Sequence, residues 1–136
     1  MGPHAVLRSG TRIGAHCLID AHAIIGGPPQ DVRFDPAIRS FVILGDKVTV
    51  REGVTVHRAT SEGAATHIGE GVFLMAYAHV GHDCTVGDHA IVANNVMLAG
   101  NVQIGERTFV GGGAAFHQFV RVGESVMVSG MSRVSR

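Results

Sequence analysis

From Ile68 onward a large apolar residue returns at every sixth position: Leu74, Val80, Val86, Val92, Leu98, Ile104, Val110, Phe116, Val122, Val128 and Val134. The residue that follows is often small, as at Gly69, Gly81, Gly87, Ala93, Ala99, Gly105, Gly111 and Gly123. Four positions after each start stands a modest apolar side chain: Val72, Ala78, Cys84, Ala90, Val96, Val102, Ala114, Val120 and Val126. A period of six fits neither the 3.6-residue helix nor the two-residue alternation of a half-buried strand. It fits a short strand plus a corner, with three such units closing one triangular coil. Coils stacked at roughly 4.8 Å pair their backbones in parallel sheets and bury one aliphatic column. The pattern therefore predicts an all-β chain: a parallel β-helix of hexapeptide repeats, a single domain over residues 1–136.

The same phase runs back through Val56, Val50 and Leu44, and an earlier block holds Met1, Leu7, Ile13, Ile19 and Ile25 in its own register. Ile25 and Leu44 are one position too far apart for a whole number of sixes. The break falls at Gly27-Pro28-Pro29 and Asp35-Pro36, so residues 28–41 are predicted to be an extruded loop. A second stretch, 58–66, keeps the phase but loses the apolar pattern, and is also read as a loop. Open solenoid ends expose strand edges and core, so self-association is expected.

Composition agrees with many short strands and tight corners. Hydrophobic residues make up 46% of the chain, yet Trp is absent, Tyr occurs once and Gly 19 times. Eleven basic and 11 acidic residues cancel, which argues against a nucleic-acid or anionic-membrane surface. No apolar run is long enough to span a bilayer. Cys17 and Cys84 form no metal or redox spacing, and a reducing cytoplasm is the expected location.

The nine His residues are an excess suited to proton transfer. Positions one coil apart stack, so His82 shares a column with Gly100 and Gln118, and Asp83 shares the next with Asn101 and Phe119. Two imidazoles, His79 and His82, thus gather on one edge with a carboxylate and a corner glycine. A base acting on a hydroxyl needs an imidazole oriented by a carboxylate, and an oxyanion needs a closely approachable backbone N–H. His82, Asp83 and Gly100 can supply these parts. The same residues can equally be polar corners of the repeat, and His57, His79 and His82 offer a third reading as zinc ligands shared between subunits.

Three runs carry a more specific resemblance: Met75–Gly87 (MAYAHVGHDCTVG), Ala93–Gly100 (ANNVMLAG) and His117–Gly123 (HQFVRVG). With Arg51–Arg58 (REGVTVHR) and Pro29–Phe34 (PQDVRF), in the same order, the sequence resembles the bacterial UDP-N-acetylglucosamine acyltransferases of lipid A biosynthesis. The resemblance covers the chain from about Ile13 onward and implies a left-handed coil and a homotrimer. It implies transfer of a (3-hydroxy)acyl chain from acyl carrier protein to the 3-position of a UDP-N-acetylglucosamine-type sugar nucleotide. His82 matches the family's general base, Asp83 its orienting carboxylate and Gly100 its oxyanion donor. Gln30, Asp31, His79, His117 and Gln118 match substrate-binding positions, with His57 beside them, and Gly130 matches a position that sets acyl length. Arg33 stands where the family has Lys, and Asn101 where it commonly has His. The family continues into a helical C-terminal domain that this sequence, ending at Arg136, is expected to lack. No metal or cofactor is implied. Two other functions fit the same fold: a noncatalytic trimeric scaffold retaining family residues, and a metal-dependent protein of the γ-carbonic anhydrase type.

Overall fold

Each six-residue unit places two side chains inward, and that repetition builds the molecule. A computed structural model describes residues 1–136 as 19 short strands without a helix. The strands stack in three parallel sheets, the faces of a left-handed triangular β-helix. The first face runs Val6–Leu7, Ile24–Gly27, Thr55–His57, His79–Val80, Met97–Leu98, Ala115–Phe116 and Arg133–Val134. The second runs Thr11–Ile13, Phe41–Leu44, Ala65–Ile68, Thr85–Val86, Gln103–Ile104 and Arg121–Val122. The third runs Leu18–Ile19, Thr49–Val50, Phe73–Leu74, Ile91–Val92, Phe109–Val110 and Met127–Val128.

The second residue of each two-residue strand is the apolar one of the repeat, and from Leu74 to Phe116 all are buried. They join the modest inward residues, such as Ala78, Cys84 and Ala90, in one cluster of 26 buried side chains. Burying a Val or Leu in this way stabilises by about 1.5–3 kcal/mol. Two inward positions are polar instead. Thr108 is fully buried, its hydroxyl donating to the Gly123 carbonyl at 2.6 Å and accepting from Val126 N–H at 3.2 Å. Thr66 is the other, and it serves the site described below.

Corners repeat with the same period. Tyr77, Asp83, His89, Asn95, Asn101, Arg107, Phe119, Ser125 and Met131 all have φ between 53° and 66°. L-residues other than Asn and Asp adopt this left-handed region reluctantly, so the coil imposes it.

Register accounts for both interruptions. His79 pairs with Met97 at the unbroken spacing of one coil, but with Thr55 at six positions more. The six extra residues lie between His57 and Ala65. Ile24 pairs with Thr55, which is 13 positions beyond one coil. Twelve of the 13 preserve the six-residue phase. The odd one is Gly26: Ile25 pairs with Val56 and Gly27 with His57, leaving Gly26 as a bulge at φ 92°. The phase break thus belongs to a strand and not to the proline-rich loop. Both loops also end earlier than expected, because Phe41, Ala65 and Thr66 are already strand residues.

The loop between Gly27 and Phe41 is tied down by Arg58. Its Nη1 donates to the Ile38 carbonyl at 2.6 Å and to Ser40 Oγ at 3.0 Å, and its guanidinium lies 4.9 Å from the Phe34 ring centroid.

Candidate functional site

The first face and its adjoining corner carry a cleft of about 520 Å³, lined by Gln30, His57, His79, His82, Gly100 and Gln118 among others. Its outward apolar side chains are those of Met97 and Ala115, while Leu98 and Phe116 border it from strands whose own side chains fill the core. The extruded loop brings Gln30 to this cleft from the far side of the first interruption.

His82 Nδ1 lies 2.8 Å from Asp83 Oδ2, with the two side chains 13% and 17% exposed. An ionised carboxylate only accepts hydrogen bonds, so the proton of the neutral imidazole sits on Nδ1 and Nε2 carries the free lone pair. The Nε2–Cε1 edge of the ring rests on Gly100, where any Cβ would overlap it. The Gly100 N–H has no acceptor within the protein. The ring edge that carries the free lone pair therefore lies against a glycine whose amide has no partner within the protein.

Asp83 is held by residues that its motif does not reveal. Thr60 Oγ1 donates to Oδ2 at 2.7 Å, and Thr60 N–H reaches Oδ1 at 3.3 Å and Oδ2 at 3.2 Å. Asp83 N–H donates to Thr66 Oγ1 at 2.9 Å, and Thr66 passes its own proton to the His57 carbonyl at 2.7 Å. Thr66 was findable in the sequence, being a hydroxyl in the apolar column one coil before Cys84. Thr60 lies in the second loop, where the repeat gives no position.

His57 and His79 meet edge to face with centroids 4.6 Å apart, and His79 Nδ1 is 2.7 Å from Thr55 Oγ1. Burial, then the nearby His79 and His82, lowers the His57 pKa to about 4. Burial and then His82 lower that of His79 as well. Both rings are thus neutral near pH 7 and present hydrogen-bonding nitrogens without charge. Asp31 is held below the usual carboxylate range, first by the Arg33 N–H at 2.9 Å and then by the Arg33 guanidinium at 3.5 Å; a charge on His82 adds a smaller effect. Arg33 itself points into solvent, with 88% of its side chain exposed.

Other residues of the expected set stand apart. Asn101 does not line the cleft and touches the site through its backbone, its N–H donating to the His82 carbonyl at 2.9 Å. His117 is exposed beside the cleft and not in its lining. Gly130 lies on another edge of the prism, against the Gly112 backbone, so a single chain does not bring it to His82. Cys84 is buried, its thiol pushed up to about 12 by that burial and bonded to the Ala99 carbonyl at 3.0 Å, a core residue without nucleophilic character. No three His, Cys, Asp or Glu side chains of one chain are grouped as metal ligands.

Residues 65–100 match the sequence profile of the bacterial transferase hexapeptide (six repeats). The acyl-[acyl-carrier-protein]–UDP-N-acetylglucosamine O-acyltransferase of Campylobacter concisus is 45% identical over 127 residues, 93% of this chain and 48% of that protein. The enzyme of the same name from Sinorhizobium fredii is 43% identical over 133 residues, 97% of this chain and 49% of the relative. Among solved structures, the UDP-N-acetylglucosamine acyltransferase of Bacteroides fragilis superposes with a TM-score of 0.91 at 37% identity, covering 96% of this chain and 51% of that one. The O-acyltransferase of Moraxella catarrhalis gives 0.87 at 38% identity, covering 98% and 55%. The chain spans about half the length of the curated relatives it matches.

Proposed function

We propose that this chain, a homologue of the UDP-N-acetylglucosamine O-acyltransferases, carries the acyl-transfer centre of such an enzyme. The observation that supports this most directly is one juxtaposition: His82, its Nδ1 bonded to Asp83, lays its Nε2 edge on Gly100, whose N–H is unpaired.

In this reading the 3-hydroxyl of a UDP-N-acetylglucosamine-type acceptor lies within reach of Nε2. His82 removes its proton as the oxygen attacks the thioester carbonyl of acyl carrier protein. Asp83 keeps the ring in the required tautomer and stabilises the imidazolium that forms. The tetrahedral oxyanion accepts from Gly100 N–H, in a position where no side chain intervenes. Collapse breaks the C–S bond, and the departing thiolate takes the proton from His82, returning the base to neutral. His57, His79, Gln30 and Gln118 offer polar contacts to the sugar nucleotide, Asp31 and Arg33 border its entry, and the apolar side chains of Met97 and Ala115 receive the acyl chain.

Assembly as a trimer of parallel prisms has its own support. The outward row of the third face is Leu18, Thr49, Phe73, Ile91, Phe109 and Met127, while that of the second includes Arg12, His67, Gln103 and Arg121. Leu18 and Met127 are 53% and 73% exposed in the single chain. An apolar ladder of this length is a self-association surface. It would bring a neighbour's edge, the one that carries Gly130, toward the His82 edge, where Asn101 and His117 already stand. No helix is long and apolar enough to cross a membrane. Both cysteines are free thiols, which supports a cytoplasmic setting.

The deciding experiment is acyl transfer from several acyl carrier protein thioesters to UDP-N-acetylglucosamine, comparing the native chain with His82→Ala. The expected loss is at least about 10²-fold. Unchanged turnover in the variant would remove His82 as the base, and a native chain that transfers nothing would favour the scaffold reading.

A further inference from the structure

The second loop interrupts the coil by six residues and delivers one hydroxyl, that of Thr60, to the carboxylate that orients His82. We propose that Thr60 is a positioning residue: by fixing the rotation of Asp83, it decides which nitrogen of His82 is free. This rests on the reading of His82 as the base.

Asp83 stands on a left-handed corner with φ 62°, its side chain 17% exposed. Oδ2 accepts from both Thr60 Oγ1, at 2.7 Å, and His82 Nδ1, at 2.8 Å. The Thr60 amide spans the two carboxylate oxygens and fixes their plane. Thr66 clamps the backbone of the same residue, so Asp83 is held at its side chain by one threonine and at its N–H by another. With the Thr60 hydroxyl gone, only two long amide contacts and the His82 bond itself resist rotation of the carboxylate away from Nδ1. The imidazole then redistributes its proton between its nitrogens, and the fraction with a bare Nε2 falls. A threonine serving only to anchor the loop would leave that proton where it is.

Thr60→Val keeps the branched shape and the amide while deleting the O–H, and Thr60→Ser restores the donor. Two readouts are made on the whole chain: steady-state acyl transfer, and the ¹⁵N shifts of the His82 ring, which report the tautomer without any substrate. For Thr60→Val we expect kcat to fall about 10- to 100-fold with KM within about twofold, and the Nδ1–H tautomer to lose its dominance. Thr60→Ser should recover both. A Thr60→Val protein with native kcat and a native tautomer ratio would overturn the proposal. If the native chain transfers no acyl group, it is the acyl-transfer reading that fails, and the ¹⁵N shifts still decide the role of Thr60. Should Thr60→Val not fold, Thr66→Val provides the second arm: valine suits that inward column beside Val42, yet removes the acceptor for Asp83 N–H. It should move the tautomer in the same direction, and an unmoved tautomer would count against the clamp.

Discussion

Gly100→Ala is the smallest change that should silence the site without disturbing the coil. An alanine Cβ at this position would lie 2.9 Å from His82 Nδ1 and nearer still to Cε1 and Nε2. Non-bonded carbon contacts settle at about 3.5–4.0 Å, so the ring must withdraw by about 1 Å or more. It can do so into the cleft, and Gly100 is not at positive φ, so the backbone meets no strain. A displacement of about 1 Å at a reacting centre costs on the order of 10²-fold in rate, before counting any weakening of the bond to Asp83. Steady-state transfer assays should therefore show kcat reduced about 10²- to 10³-fold, with a thermal midpoint within a few degrees of native. A folded Gly100→Ala chain that keeps kcat within about threefold would refute both the seating of His82 on Gly100 and the role of that edge in the reaction.

Stability should fall with acid in a window set by His57. Its folded value is about 4 against an ordinary 6.5, so between these pH values the unfolded chain binds a proton that the native chain refuses. The contribution is complete above pH 6.5 and declines as pH falls toward 4; urea titrations should record that slope, flattened in His57→Gln, and an unaltered slope would contradict it. Phe109→Glu places a charge in the middle of the apolar ladder of the third face. Light scattering should find a monomer with unchanged circular dichroism, and an intact trimer would mean that another surface assembles the protein.

The fold was readable because an inward side chain at every sixth position leaves a signature that no other element shares. Val80, Cys84 and Val86 report their burial simply by where they stand in the count. The stacking of His82 on Gly100 is legible for the same reason, since it follows from spacing, whereas the roles given to His82, Asp83 and Gly100 rest on the family resemblance. The counting fails where the chain leaves the coil. Thr60 sits in the six extruded residues, and its bond to Asp83 spans 23 positions with no periodic relation. Gly26 misled in a different way. A bulge adds one residue without any compositional mark, and the nearby prolines draw the expected break to themselves. Gly130 shows a third limit: a column count gives the edge on which a residue stands, but the edges of one prism face different neighbours.

The two interruptions also define which insertions this architecture accepts silently. Six residues added between His57 and Ala65 leave every later side chain on its former face, as a whole number of repeats must. Thirteen extra residues lie between Ile25 and its partner Val56, and the Gly26 bulge holds the one that departs from the six-residue count. In this coil both interruptions thus keep the six-residue count, one directly and one with a glycine bulge. The loop that steadies Asp83 belongs to the silent class. The coil keeps its faces across that loop, yet the loop reaches Asp83 through Thr60 and the first loop through Arg58, so what constrains its sequence is those contacts and not the count of the repeat.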